Sequence, residues 1–409
     1  MKLPDRNQWL DFFDKAIEGC LCLLALLVPL SKSGVEIFTA AGIVFFVLKK
    51  LVSPNFKNLK SKPDILLLLF FIFCSLSLLN SGIFLEKSLH SLLIKWGKRG
   101  LIFLIAQDTL RSPKKVKTVF AFLTLGAVLT GLDVLSQRYL GIEVFKHQPM
   151  TLIKHSFQGK PIHEFYGVTA AFNHYNSLAN YLVCVLLLTA AVILSGKIRN
   201  SLRSVLVFVL ILLGCGFFLT FSRGGWLAFL AGLILMFVVS GNRFVFFTLF
   251  IFISGFFVLP LPRERVAYTF LPHWDSQRLM IWKIAWRMIH ENPFLGKGIG
   301  TFMDYCSKYS LGTLIRYAHN GYLQMWAEAG IFALASFLSF IGLLIVKGVI
   351  VFKKTLNYTI LGFVCSVFGF FVHDAMDTGL YSLQLSALLW LLLGILAALV
   401  DNPDMKELW

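Results

Sequence analysis

The chain has 409 residues, 57% of them hydrophobic and only 14% charged, and its mean hydropathy is +0.76. Soluble domains carry about 25% charged residues, so the composition excludes an ordinary soluble protein and predicts one integral membrane domain over residues 1–409. The net charge of +17 does not indicate nucleic acid, because the basic residues are spread through short loops between apolar runs, where topogenic charge accounts for most of them.

A membrane span needs roughly 20 mostly apolar residues. On that basis about twelve spans are predicted, near 16–30, 34–48, 64–80, 91–108, 116–135, 177–195, 202–220, 225–241, 243–260, 320–347, 357–376 and 380–400. The first lacks the small-residue exit of a cleaved signal and is followed at once by the second, so it reads as a span. These two form a tight hairpin around Ser31-Lys32-Ser33. The fourth is interrupted by Lys95, Lys98 and Arg99 and reads as a doubtful span or an interfacial helix.

Basic clusters follow the even-numbered runs: Lys49, Lys50, Lys57, Lys60 and Lys62; then Arg111, Lys114, Lys115 and Lys117; then Lys197, Arg199 and Arg203; then Lys347, Lys353 and Lys354. The positive-inside rule therefore predicts both termini in the cytoplasm. It puts the loop 136–176, the turn at Phe221-Ser222-Arg223-Gly224-Gly225 and the large loop 261–318, between spans nine and ten, on the outer face. That large loop holds Arg263, Arg265, Arg278, Lys283, Arg287, Lys297, Lys308 and Arg316 against Glu264, Asp275, Glu291 and Asp304. Its positive excess has no topogenic reason and points to an anionic ligand.

Within the loop, Asp275 or Ser276 is placed to cap a helix that runs to about His290 and stops before Pro293. Leu279, Trp282, Trp286 and Ile289 follow helical spacing, and the two tryptophans suit the membrane–water boundary. Six of the seven cysteines, Cys20, Cys22, Cys74, Cys184, Cys215 and Cys365, lie in apolar runs, where cysteine acts as a small hydrophobe. Cys306 has no partner in its loop, so neither a disulfide framework nor a metal site is predicted.

Four groups of residues could carry chemistry. Arg223 stands alone between two apolar runs, and such an arginine is a site hypothesis by default, against the plainer reading of a side chain reaching lipid headgroups. Arg278 sits near the start of the loop helix, with Arg287 and Lys283 as weaker candidates on the same helix. His319 lies where the loop re-enters the membrane, and a histidine there can act as a general base; helix capping is the plainer alternative. Glu328 lies about 13 Å further along a helix, too far to orient His319, and reads as structural. Asn173, His174 and Asn176 before the sixth span, and His373, Asp374 and Asp377 near the eleventh, are further outward-facing polar residues. Gly296-Lys297-Gly298-Ile299-Gly300 reads as a tight turn rather than a phosphate nest, since no βαβ unit surrounds it. The outer loops hold no Asp-x-Asp pair, and there is no Gly-x-Ser-x-Gly or His-Glu-x-x-His.

Three motifs in order, Ser222-Arg223-Gly224-Gly225, then Arg278 with Asn292-Pro293-Phe294-Leu295-Gly296-Lys297-Gly298-Ile299-Gly300-Thr301-Phe302, then His319-Asn320 leading to Glu328-Ala329-Gly330, resemble the O-antigen ligase/polymerase superfamily. The resemblance covers about residues 170–400; residues 1–165 contribute topology alone. Before the sixth span the family often has an Asn-Pro-Asn-like element, where this chain reads Asn173-His174-Tyr175-Asn176. The resemblance implies a mostly helical membrane glycosyltransferase, GT-C-like, in the bacterial inner membrane with its site facing the periplasm. It implies an undecaprenyl-pyrophosphate-linked glycan as donor and lipid A–core as acceptor, with membrane lipids around the protein and no cofactor or metal. Arg223 and Arg278 would grip the pyrophosphate and His319 would take the acceptor's proton. Arg287, His174, Asn176 and His373 are candidate substrate-binding residues. An O-antigen polymerase, using a second lipid-linked glycan as acceptor, is the nearest alternative. A lipid-linked glycan flippase or transporter is the alternative of another class, disfavoured because the polar residues cluster at span ends and no repeat is apparent; Glu18 and Glu36 are the exceptions.

Overall fold

The computed structural model describes residues 5–56, 62–157, 160–196, 198–267, 276–309 and 317–402. Asp275 and Arg316, and the basic residues Lys57, Lys60 and Lys197, lie outside the described residues. In lipid every backbone N–H and C=O must be satisfied within its own segment, which makes long apolar stretches helical. The first half of the chain forms α1 (Arg6–Leu27), α2 (Lys32–Val52), α3 (Lys62–Leu76), α4 (Leu85–His90), α5 (Lys98–Thr109) and α6 (Pro113–Tyr139). Helices α7 (Tyr175–Leu194), α8 (Asn200–Leu219), α9 (Arg223–Ser240) and α10 (Arg243–Val258) follow. The large loop contributes α11 (Pro260–Ala267), α12 (Ser276–Glu291) and α13 (Phe302–Tyr309), and the chain ends in α14 (Gly321–Thr355), α15 (Tyr358–Asp374) and α16 (Leu383–Asp401).

Side chains that compete for backbone donors set many of the starts. Asp5 and Gln8 form a reciprocal capping box on α1. Ser31, Ser112 (followed by Pro113), Ser222, Asn320 and Asn357 cap α2, α6, α9, α14 and α15.

The chain is thus a mostly helical polytopic membrane protein. Among the described residues, seven helical stretches are long and apolar enough to cross a membrane: 62–80, 113–140, 175–194, 200–219, 223–240, 321–355 and 383–401. Helices α10 and α15 are apolar but shorter. The count of about twelve spans therefore exceeds what length and apolarity support, although each predicted run lies on helix. Burial separates the centre from the lipid-facing rim. The apolar windows of α7 and α16 are 83% and 89% buried, against 28% for the 62–80 stretch and 33% for α8. One apolar core runs from Ile17 through Leu187 and Phe337 to Leu399.

Three features differ from expectation. An antiparallel hairpin, β1 (Thr151–Phe157) with β2 (Lys160–Gly167), pairs Thr151 with Gly167 and Ile153 with Phe165, so the protein is not wholly helical. Its alternating residues lie in a polar loop, where a search for membrane-length runs finds nothing. The fourth apolar run is not an interfacial helix: α4 passes through a π-helical turn, Ser91–Gly97, into α5, which is buried from Ile102 to Thr109 except at Leu104. In α12 the spacing identifies the helix but not its inner face. Leu279 and Trp286 are exposed, whereas Ile281, Ile284, Ala285, Met288 and Ile289 pack against Phe302, Cys306 and Ala327. None of the seven cysteines is in a disulfide, and of the seven Cys215 alone is exposed.

Candidate active site

Two left-handed turns place the principal candidates. Phe221 (φ 53°) and His319 (φ 50°) are non-glycine residues in a region that sterics disfavour, and such strain persists only where the surroundings hold it. After Phe221, Ser222 accepts from the Gly225 N–H (3.1 Å) to start α9 and donates its hydroxyl proton to Asn176 Oδ1 (2.7 Å). Arg265 of α11 is buried; its Nε donates to the Phe221 carbonyl (3.2 Å) and its guanidinium lies over the Phe165 ring. Arg223 follows as the first residue of α9. After His319, Asn320 caps α14 through the Leu323 N–H (2.9 Å), and Trp282 of α12 donates to the Ala318 carbonyl (2.9 Å).

The loop after α15 brings these turns together. Arg278 donates to the Met376 carbonyl (3.2 Å), and the next residue, Asp377, lies 3.2 Å from His319 Nδ1 through Oδ1. Gly224 abuts His373 and Met376, and Gly321 abuts the Asp374 carboxylate so closely that an added Cβ would fall 1.7 Å from Oδ2. Asp374 in turn accepts from the Leu380 N–H (3.0 Å). Tyr175 feels the charges of Arg265, Arg278, Asp377 and Arg223 together. Asp377 interacts electrostatically with His319, His373 and His174.

Two ionisations outside the membrane helices follow from this packing. Burial alone would raise the Asp377 carboxyl, but the His319 hydrogen bond and the charges of His373, His319 and His174 hold it well below the usual range. Asp377 is therefore a carboxylate at any working pH. It fixes the neutral His319 tautomer with the proton on Nδ1 and the basic lone pair on Nε2. Burial is the main cause that lowers His174, helped by the positive charge of Arg278, and by His319 whenever that ring carries a proton on both nitrogens, and opposed by Asp377. Neutral His174 accepts the Asn176 N–H (3.2 Å) and caps α7.

A cavity of about 820 Å³ opens beside this cluster. His174, His319 and Asp377 line it together with Asn173, Gln324 and Glu328, and so do Lys32, Lys95 and Arg99. Arg223 and Arg278 adjoin it without lining it, and Arg278 grips the residue next to the lining Asp377. Among the described residues no group of three or more His, Cys, Asp or Glu could hold a metal ion.

Of the sequence candidates, Arg223, Arg278, His174, His319 and His373 converge here. His373 is fully buried, with no hydrogen-bond partner on either ring nitrogen among the described residues. Asn176 is spent on Ser222 and ties α7 to the Arg223 turn. Arg287 is not in the cluster: it is exposed, lies over Tyr309 and pairs with Glu291, which also holds Lys297. Sequence reading gave no role to Arg265 beyond its charge, nor to Asp377 as partner of His319, 58 residues apart. Arg99, read as an interruption of a span, lies in the cavity wall.

The Gly296–Gly300 turn is a latch. Gly296, Gly298 and Gly300 all have positive φ, and Cβ atoms there would lie 2.0–2.3 Å from Glu328, Ser81 and Ser91. Its amides are taken internally: Gly298 N–H by the Glu328 carbonyl, and Gly300 and Phe302 N–H by the Glu328 carboxylate (2.9 and 3.2 Å). Gly330 (φ 82°, ψ 172°) breaks α14 where Ile331 donates to the Pro293 carbonyl (3.0 Å).

Fold and site together define a membrane-embedded helical protein with a cationic, histidine-bearing cavity at one end of its bundle. Residues 208–338, about a third of the chain, match the family model described as O-antigen ligase, a stretch that includes Arg223, Arg265, Arg278, His319 and Glu328. Over that stretch the chain is similar to the O-antigen ligase family, a likeness in keeping with a glycosyltransferase-like ligase or polymerase. No curated protein matches it.

Proposed function

We propose that the protein transfers a glycan from undecaprenyl pyrophosphate to a sugar of lipid A–core, at the periplasmic face of the inner membrane, without a metal. The single observation that carries this reading is the gathering of Arg223, Arg278 and an Asp377-paired His319 beside one cavity. Guanidinium groups stay protonated and bind phosphate oxygens bidentately. Arg223 and Arg278 would hold the donor's pyrophosphate and stabilise the charge that grows on it as the sugar–oxygen bond breaks. His319 Nε2 would remove the proton from the acceptor hydroxyl as that oxygen attacks the anomeric carbon. Asp377 would steady the imidazolium formed, as the carboxylate of a catalytic triad does. Attack from the side opposite the leaving group inverts the anomeric centre. Arg265 would act through the Phe221 carbonyl, holding the turn that presents Arg223.

The test is to incubate purified protein with lipid-linked glycan and lipid A–core in chelator and to separate the products on a gel. Glycan on lipid A–core supports the ligase; chains that lengthen only on the carrier would make the protein a polymerase. Carrier appearing on the other side of sealed vesicles, with no new glycosidic bond, would support the transporter instead.

A further inference from the structure

Three basic residues of the cavity lining have no role in the chemistry above. Lys32 begins α2, Lys95 lies in the π-helical turn before α5, and Arg99 lies in α5; all three line the cavity. Arg99 is only 6% exposed. It donates to the Leu380 carbonyl through Nη1 (3.4 Å), while its Nε has no partner among the described residues. A buried guanidinium N–H left unmatched is costly and calls for an acceptor from a ligand. Nearby acids are engaged elsewhere. Glu36 pairs with Lys98, Glu328 accepts from Gly300, Phe302 and Gln324, and Asp377 holds His319. Neither Lys32 nor Lys95 makes a salt bridge among the described residues. Lys146 adds to the crowding: burial and the charge of Lys32 lower its ammonium, against the pull of Glu143.

We infer that Lys32, Lys95 and Arg99 form a second anion subsite, separate from the donor's pyrophosphate site, that binds a phosphate on a sugar of the acceptor. The choice of acceptor as occupant rests on the transferase reading, in which Arg223 and Arg278 already serve the donor. A phosphate is matched by one planar guanidinium and two mobile ammonium groups. Held there, it would orient the acceptor hydroxyl toward His319.

The test is equilibrium binding of the full-length protein in nanodiscs, which requires no turnover. The probes are lipid A–core with its sugar phosphates intact, the same molecule after enzymatic dephosphorylation, and undecaprenyl pyrophosphate. The wild type is expected to bind the intact form about tenfold or more tightly than the stripped one. The Lys32→Gln/Lys95→Gln double variant changes two accessible side chains and keeps Arg99; it should bind both forms alike and retain wild-type affinity for undecaprenyl pyrophosphate. Arg278→Ala should do the reverse. Absent or equal binding of the two acceptor forms by the wild type, or a preference that survives in the double variant, would overturn the subsite. A double variant that loses undecaprenyl pyrophosphate would also overturn it and assign these residues to the donor. Failure of glycan transfer with this binding pattern intact would count against the transferase reading alone.

Discussion

Replacing Asp377 with Asn removes one negative charge from a half-buried hydrogen bond and keeps the shape of the side chain. In the wild type, Oδ1 stands 3.2 Å from His319 Nδ1, and the carboxylate is held charged by that bond and by His373 and His174. In the proposed mechanism it would favour the Nδ1–H tautomer and balance the imidazolium formed when Nε2 takes the acceptor's proton. A hydrogen bond to a charged group contributes about 1.5–3 kcal/mol, and each 1.4 kcal/mol of barrier is about tenfold in rate. D377N should therefore lower kcat by about ten- to about hundredfold. KM for the donor should stay within about twofold, because Arg223 and Arg278 are untouched. Asp377→Glu should recover part of the loss. Initial rates of glycan transfer, at varied donor and acceptor with protein amount and melting temperature matched, would measure both constants. A variant that kept wild-type kcat would refute the base assignment, and one that raised only donor KM would make Asp377 part of donor binding.

Other perturbations probe the supports. Arg265→Met strips the Phe221 carbonyl of its donor; it should cost about 1–3 kcal/mol, seen as a lower denaturation midpoint, and raise donor KM as the Arg223 turn loosens. Glu328→Ala leaves the buried N–H groups of Gly300 and Phe302 without an acceptor. That costs about 1–3 kcal/mol for each, and limited proteolysis should then cut near residues 296–302. Gly321→Ala would drive a methyl into Asp374, so little folded protein should be recovered on detergent extraction. His174 is lowered in the folded state, so the unfolded chain takes up its proton first as pH falls. Its contribution to stability is complete above its ordinary value, near 6.5, and is lost as pH drops below it. Melting temperature should therefore fall between about pH 6.5 and 5, and less steeply in His174→Asn, which retains a capping side chain.

The helical, membrane-spanning character was legible because apolar length is a local property of the chain. Arg223 and His319 were legible because a charged or titratable residue beside an apolar run is conspicuous without any tertiary knowledge. Their partners were not: Asp377 meets His319 only because the ends of α14 and α15 are packed together, and Arg265 finds Phe221 across 44 residues. Arg287, a weaker candidate than Arg278 nine residues before it, is delivered by helical rotation to Glu291 and Tyr309. The inner face of α12 was not legible for a related reason. Trp286 is amphipathic and sits edge-on to Trp326 while remaining exposed, so hydrophobicity alone did not give the direction of burial. The β-hairpin escaped notice because a chain this apolar draws attention to long runs rather than to short alternation.

In the proposed mechanism labour is divided between Arg223 and Arg278, which would hold pyrophosphate, and His319, which would activate the acceptor. A single-turnover experiment with pre-bound, radiolabelled lipid-linked glycan tests it most directly, since it separates donor binding from transfer. The account predicts that His319→Ala retains the donor at wild-type affinity and fails to pass the glycan to lipid A–core, while Arg223→Ala and Arg278→Ala each lose the donor. If His319→Ala transferred glycan at the wild-type rate, or if both arginine variants bound the donor as the wild type does, the division would be contradicted.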